Sequence, residues 1–143
     1  MPDRREDIHV TVRSEPRFLR ATRELVRGYL AAHGFSAGKR DEAVLAVDEA
    51  CANSVRHSYA SRGVGRIELS LSSAGDYIEI VVRDYGIPAD HERIAKDVPE
   101  KPDPADLKPG GLGLTLMRRV FDEVDFRPGR ESGNCVTMRL KRS

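Results

Sequence analysis

The sequence predicts an α+β fold: a two-layer α/β sandwich in which three helices cover one face of a mostly antiparallel, mixed sheet. Three observations carry this. Segments of strand period come in neighbouring pairs joined by short connections, segments of helix period stand apart from them, and the order along the chain is β-α-α-β-β-loop-α-β-β.

IHVTV at 8–12 is the first strand candidate, preceded by a charged arm over residues 1–7. SEP at 14–16 offers Ser14 as an N-cap with proline in the first turn. Phe18, Thr22, Leu25, Val26 and Tyr29 then recur at helical spacing until Gly34. Arg20, Arg23 and Arg27 lie opposite that stripe, as a solvated basic face or as a docking surface for an acidic partner. A second helix runs from about Ser36 to Tyr59, and SRGVG breaks it. RIELSLS and YIEIVVRD around an AGD turn read as an antiparallel hairpin. Residues 85–111 hold five of the eight prolines and little apolar period, as an active-site lid or a plain insertion would. GGLGLTLMRRVFDEV starts a third helix, with Leu114, Met117, Phe121 and Val124 on one face, before strand candidates VDFR and NCVTMRLK.

The 143 residues form one domain, residues 8–143, long enough to bury a core. Twenty-four basic and 23 acidic residues are interspersed, for a net charge of +1. That excludes a general nucleic-acid binder, which needs a basic footprint. No apolar run reaches the length of a membrane span, and MPDRREDIHV is not a signal peptide. Cys51 and Cys135 lack metal-ligand spacing; Cys51, among alanines and valines, reads as a buried free thiol, in keeping with a cytoplasmic location.

Chemistry has three places to sit. In DEACANSVRHSY, residues 48–59, Glu49, Asn53 and His57 follow one another at four-residue steps and form a slanted polar row with the small Ala46 alongside. Val44, Val47, Cys51 and Val55 anchor the opposite side. A solvated face would explain a row of Glu and Lys; it explains Glu, Asn and His less well. Next, Asp84 of RDYGIP shares strand parity with Ile78, Ile80 and Val82 and so faces inward at the strand's end. A buried carboxylate there needs donors, from a ligand or from a local turn amide before Gly86. Third, KPGGLGLT at 108–115 sets three glycines at the mouth of a helix, as an anion site or as a hinge. It matches neither the phosphate-loop nor the dinucleotide fingerprint.

Taken in order, EACANSVRH, DYGIP and PGGLGLTLMRRVFDEV resemble the N-box and the two glycine boxes of the Bergerat-fold, histidine kinase-like ATPases. Within that superfamily the chain is most similar to the bacterial anti-sigma factor serine/threonine kinases, from about Ile8 onward. The resemblance implies ATP and Mg²⁺ as cofactors. It implies Asn53 as the Mg²⁺ ligand, Glu49 as general base for a protein hydroxyl, and His57 near the phosphates or capping its helix. Asp84 would accept from the adenine amine, with Gly86 against the base and Pro88 stiffening the pocket edge. Gly111, Leu112, Gly113 and Leu114 would offer amides to the phosphates, with Gly110 and Thr115 on either side. Lys108 stands in for a basic lid residue. Asn134 follows Gly133 where the family has Thr, which changes the adenine contact.

The function so implied is an ATP-dependent serine/threonine kinase and anti-sigma factor. It would sequester a sigma factor, phosphorylate a small antagonist protein and form a homodimer, with no direct nucleic-acid or membrane partner. The alternative is a nucleotide-binding, partner-switching module that transfers no phosphate; Glu49 beside Asn53 favours the kinase.

Overall fold

The computed structural model describes residues 5–58, 65–86, 111–129 and 133–142, excepting the side chains at 57, 58 and 111–114. Its elements are β1 (Arg5–Arg13), α1 (Leu19–Ala32), α2 (Ala37–Asn53), β2 (Arg66–Ala74), β3 (Tyr77–Asp84), α3 (Gly111–Val120), β4 (Glu123–Arg127) and β5 (Asn134–Lys141). The strands form one five-stranded sheet in the order β1-β2-β3-β5-β4. All four pairings are antiparallel, so no parallel pair occurs among the described strands where a mixed sheet is expected.

Alternation along the strands decides which face is covered. Ile67, Leu69 and Leu71 of β2, Ile78, Ile80 and Val82 of β3, and Val136, Met138 and Leu140 of β5 are all buried. Register sets them side by side, for example Leu69 opposite Val82 and Val82 opposite Val136. Each such side chain contributes about 1.5–3 kcal/mol by leaving water. The helices supply the other half of the core: Leu19, Val26, Tyr29 and Leu30 from α1, Val44, Val47 and Cys51 from α2, Met117 and Val120 from α3, and Phe121 just beyond it.

α2 is the central helix and packs against both α1 and α3. That placement explains its composition. Ala43, Ala46 and Ala50 are buried along with its valines, because small residues let helices close in from two sides. Ala46 is therefore core rather than the open flank of a polar row. Ser36 caps α2, its Oγ accepting from the Lys39 amide at 3.3 Å. The regular helix stops at Asn53, and Ser54–Ser58 continue as a π-helical turn; Tyr59, the helix end that periodicity implies, lies outside the described residues. Cys51 and Cys135 are both free thiols, and burial pushes the Cys51 thiol up to about 12.

Several boundaries differ from the sequence reading, each for a local reason. Ser14 caps no helix: its Oγ accepts from the Gly65 amide at 2.7 Å, joining the end of β1 to the start of β2. A 3-10 turn, Pro16–Phe18, leads into α1, and Leu19 and Leu30 take core places beside Thr22, Val26 and Tyr29. Phe18 and Leu25 are only half-buried. α3 ends at Val120, so Val124 belongs to the edge strand β4 and not to a helix face. Residues 5–7, assigned to the charged arm, are the first residues of β1. The basic face of α1 is largely neutralised from within, since Arg23 pairs with Asp48 of α2 at 3.0 Å and Arg27 pairs with Asp41. Only Arg20 of the three remains fully exposed.

Asp7 ties three elements together. Its Oδ2 accepts from the Tyr29 hydroxyl of α1 at 2.7 Å and from Ser73 of β2 at 3.1 Å. The Tyr29 hydrogen bond holds the Asp7 carboxyl below the usual carboxylate range, while burial raises the tyrosine. A depressed carboxylate stabilises the fold above its unfolded pKa and loses that contribution as pH falls through the folded one. Tyr29→Phe should therefore lower the urea midpoint at pH 7, with the gap to wild type narrowing below about pH 4. A gap that stays constant from pH 7 to pH 3 would show that the bond does not stabilise the fold.

Candidate nucleotide site

Asp84 is the last residue of β3, on the helix-facing side of the sheet, and is buried to 5% exposure. Its carboxylate collects donors from three directions. Ser54 Oγ donates to Oδ2 at 2.7 Å, Asn134 Nδ2 donates to Oδ1 at 2.9 Å, and the Gly86 amide donates to Oδ1 at 3.0 Å. The local turn bond to Gly86 and the inward, ligand-ready placement thus coexist. Three charge-assisted hydrogen bonds are what a buried carboxylate requires.

Register explains two of these partners. Asp84 lies opposite Asn134 in β5 and opposite Ile67 in β2, so all three crown one end of the sheet. Asn134 is buried, and its own Oδ1 accepts from the Gly129 amide at 3.4 Å. A carboxylate only accepts, so the bond to Asp84 fixes which end of the Asn134 amide faces it. The asparagine thus ties the start of β5 both to Asp84 and to the Gly129 amide. Gly133, just before it, has φ of 81°, and a Cβ there would lie 2.4 Å from the Asp84 carbonyl oxygen. Only glycine lets β5 start this close to the end of β3.

The Ser54 bond fastens the C-terminal end of α2 to the same carboxylate, and Asn53 is the adjacent residue. Asn53 and Glu49 are half-buried and lie one turn apart. One guanidinium nitrogen of Arg56 donates to Asn53 Oδ1 at 2.9 Å and to Glu49 Oε2 at 3.1 Å. The Asn53 oxygen and the Glu49 carboxylate are therefore both turned toward one cation. His57 lies in the π-helical turn, and its side chain is outside the described residues.

α3 brings the third motif to the same region. Lys39 Nζ, near the start of α2, donates to the Val120 carbonyl at the end of α3 at 3.1 Å. The two helices pack on one another, so α3 runs back along α2 from that point. Its ten residues cover ~15 Å, so Gly111 lies about that far from the Val120 end. Gly111 is the first residue of α3, where unpaired amides and the helix dipole favour an anion. Thr115 is half-buried; Pro88, Lys108 and Gly110 are outside the described residues, as is most of the 85–111 lid.

The histidine kinase-like ATPase domain model matches residues 12–140. The chain belongs to that family. The chain is 30% identical over 134 residues to the serine-protein kinase RsbW of Bacillus velezensis, covering 92% of the chain and 82% of the relative. It is also 30% identical to RsbW of Bacillus subtilis over 141 residues, covering 96% and 87%. A crystal structure of RsbU and RsbW domains from Mycobacterium tuberculosis shares the fold at a TM-score of 0.67 and 22% identity. The match covers 94% of this chain and 32% of that longer one. The likeness inferred from the three motifs is thus borne out at the level of family and fold.

Sequence reasoning missed two residues of the site. Ser54 reads as an ordinary small residue until its neighbour across the sheet end is known. Arg56 was legible, because Glu49, Asn53 and Arg56 stand at i, i+4 and i+7, one side of a helix. Among the described residues no three His, Cys, Asp or Glu side chains cluster to hold a metal. The donor set that is present, one amide oxygen already facing a cation, fits a hard ion that keeps most of its ligands as phosphate and water.

Gly133→Ala should destabilise the fold by at least about 2 kcal/mol in urea unfolding, from the left-handed backbone and the clash with the Asp84 carbonyl. A loss under ~0.5 kcal/mol would mean that β5 can start elsewhere.

Proposed function

We propose that this protein is a serine/threonine kinase and anti-sigma factor that binds ATP with Mg²⁺, phosphorylates a small antagonist protein, and holds a sigma factor inactive when not engaged with that antagonist. The observation that carries the reading is the knot of Ser54, Asp84 and Asn134, because it ties a buried carboxylate acceptor, through Ser54, to the end of α2 that carries the Glu49–Asn53 pair. The curated relatives that bear the name serine-protein kinase support the substrate class.

The chemistry follows from the placement. Asp84, held rigid by its three donors, accepts from the exocyclic amine of adenine, with the buried Gly86 leaving room for the base. The amides at the start of α3 face the phosphates. Asn53 Oδ1 would hold Mg²⁺, which would supply charge neutralisation on the phosphates. Glu49 accepts the proton of the incoming serine or threonine hydroxyl as its oxygen bonds to the γ-phosphorus. The bond from that phosphorus to the bridging oxygen breaks, and ADP leaves with the electron pair. Positioning and electrostatics supply most of the acceleration, so binding and transfer are separable by mutation.

No helix among the described residues is long and apolar enough to cross a membrane. A cytoplasmic location and a homodimer belong to this reading on family likeness.

Glu49→Gln should reduce phosphotransfer to a matched antagonist at least about 100-fold while ATP affinity stays within about threefold. Intact-mass measurement of the antagonist and calorimetric titration of ATP check the two halves. Normal transfer by the variant would assign the base elsewhere.

A further inference from the structure

Arg56 has no part in the roles assigned so far, yet it touches the two residues on which they depend. Its Nη2 lies 2.9 Å from Asn53 Oδ1 and 3.1 Å from Glu49 Oε2. The guanidinium can only donate, so it occupies the oxygen face of the Asn53 amide. Its charge sits against the carboxylate proposed as base and against the oxygen proposed as metal ligand. Arg56 itself is exposed, with a side chain at 39%, and Glu49 is at 32%.

We infer that Arg56 is a built-in competitor for the metal: it holds Asn53 Oδ1 with its guanidinium, gives that oxygen up when a divalent cation takes it, and so sets the Mg²⁺ concentration at which nucleotide binds tightly. The inference rests on the kinase reading above and names a regulation of the same site. A guanidinium and a dication on one amide oxygen repel each other, and Mg²⁺ demands a short, near-octahedral contact that the arginine blocks. On release, Arg56 keeps Glu49 as its partner, because that contact does not involve the amide. An ion pair this exposed is worth little, which limits the bias to roughly twofold to fivefold.

The test is calorimetric titration of ATP into the full chain at a series of Mg²⁺ concentrations, for wild type, Arg56→Met and Arg56→Lys. Methionine keeps the length of the side chain but neither donors nor charge, and the exposed position leaves the core untouched. Arg56→Met should move the Mg²⁺ midpoint for ATP binding down about twofold to fivefold, with affinity at saturating Mg²⁺ within about twofold of wild type. Arg56→Lys, which retains the charge, should stay near the wild-type midpoint. A structural role for Arg56 cannot produce tighter metal dependence on its removal. An unchanged or higher midpoint in Arg56→Met, or weaker binding at every Mg²⁺ concentration, overturns the inference and leaves the kinase reading standing. Wild type whose ATP binding ignores Mg²⁺ overturns both.

Discussion

The carboxylate of Asp84 is the constraint around which the site is organised. A charge buried to 5% exposure would be costly without compensation, and the compensation comes from three separate parts of the chain. Ser54 brings the end of α2, Asn134 brings the start of β5, and Gly86 turns the chain away from the end of β3. Satisfying one group therefore sets the distance between the helical layer and the sheet at the end where the motifs converge. Gly133 belongs to the same constraint, since any side chain there would run into the backbone of Asp84.

From that fixed end the remaining geometry follows along α2. The helix is held at its far end by Lys39 and the Val120 carbonyl, and at its near end by Ser54 and Asp84. Between them it presents Glu49 and Asn53 on the side opposite Val44, Val47 and Cys51. The π-helical turn begins directly after Asn53, where Ser54 and Arg56 make their contacts. Such turns recur at functional sites because they interrupt the regular ladder and re-aim the side chains that follow. The same short stretch thus serves the sheet with one residue and the polar row with the next.

Much of this was legible in the sequence because period and parity are strong signals. The alternation of Ile78, Ile80 and Val82 placed Asp84 on the covered face before any contact was known, and the four-residue steps placed Glu49 beside Asn53. Boundaries were less legible where a local hydrogen bond competed with a pattern. Ser14 looks like a cap by its neighbours, but Gly65, distant in sequence, claims its oxygen. Val124 continues a helical stripe on paper, but pairing with Met138 in β5 draws it into a strand. The arginines of α1 could not be read as paired, because Asp41 and Asp48 belong to another helix and charge alone does not reveal which helices adjoin. Asn134 is the instructive case: read in the sequence as a departure from the family pattern, it is a donor to Asp84 in the fold.

In the function proposed, the Asp84 carboxylate reads the amino group of adenine. The most direct measurement is a calorimetric comparison of ATP with inosine triphosphate, which carries a carbonyl where adenine carries that amine. ATP should bind at least about 30-fold more tightly, since inosine would set a carbonyl oxygen, itself an acceptor, against a carboxylate that can only accept. Equal affinity for the two nucleotides would mean that Asp84 is a structural knot alone and that the base, if bound, is held elsewhere.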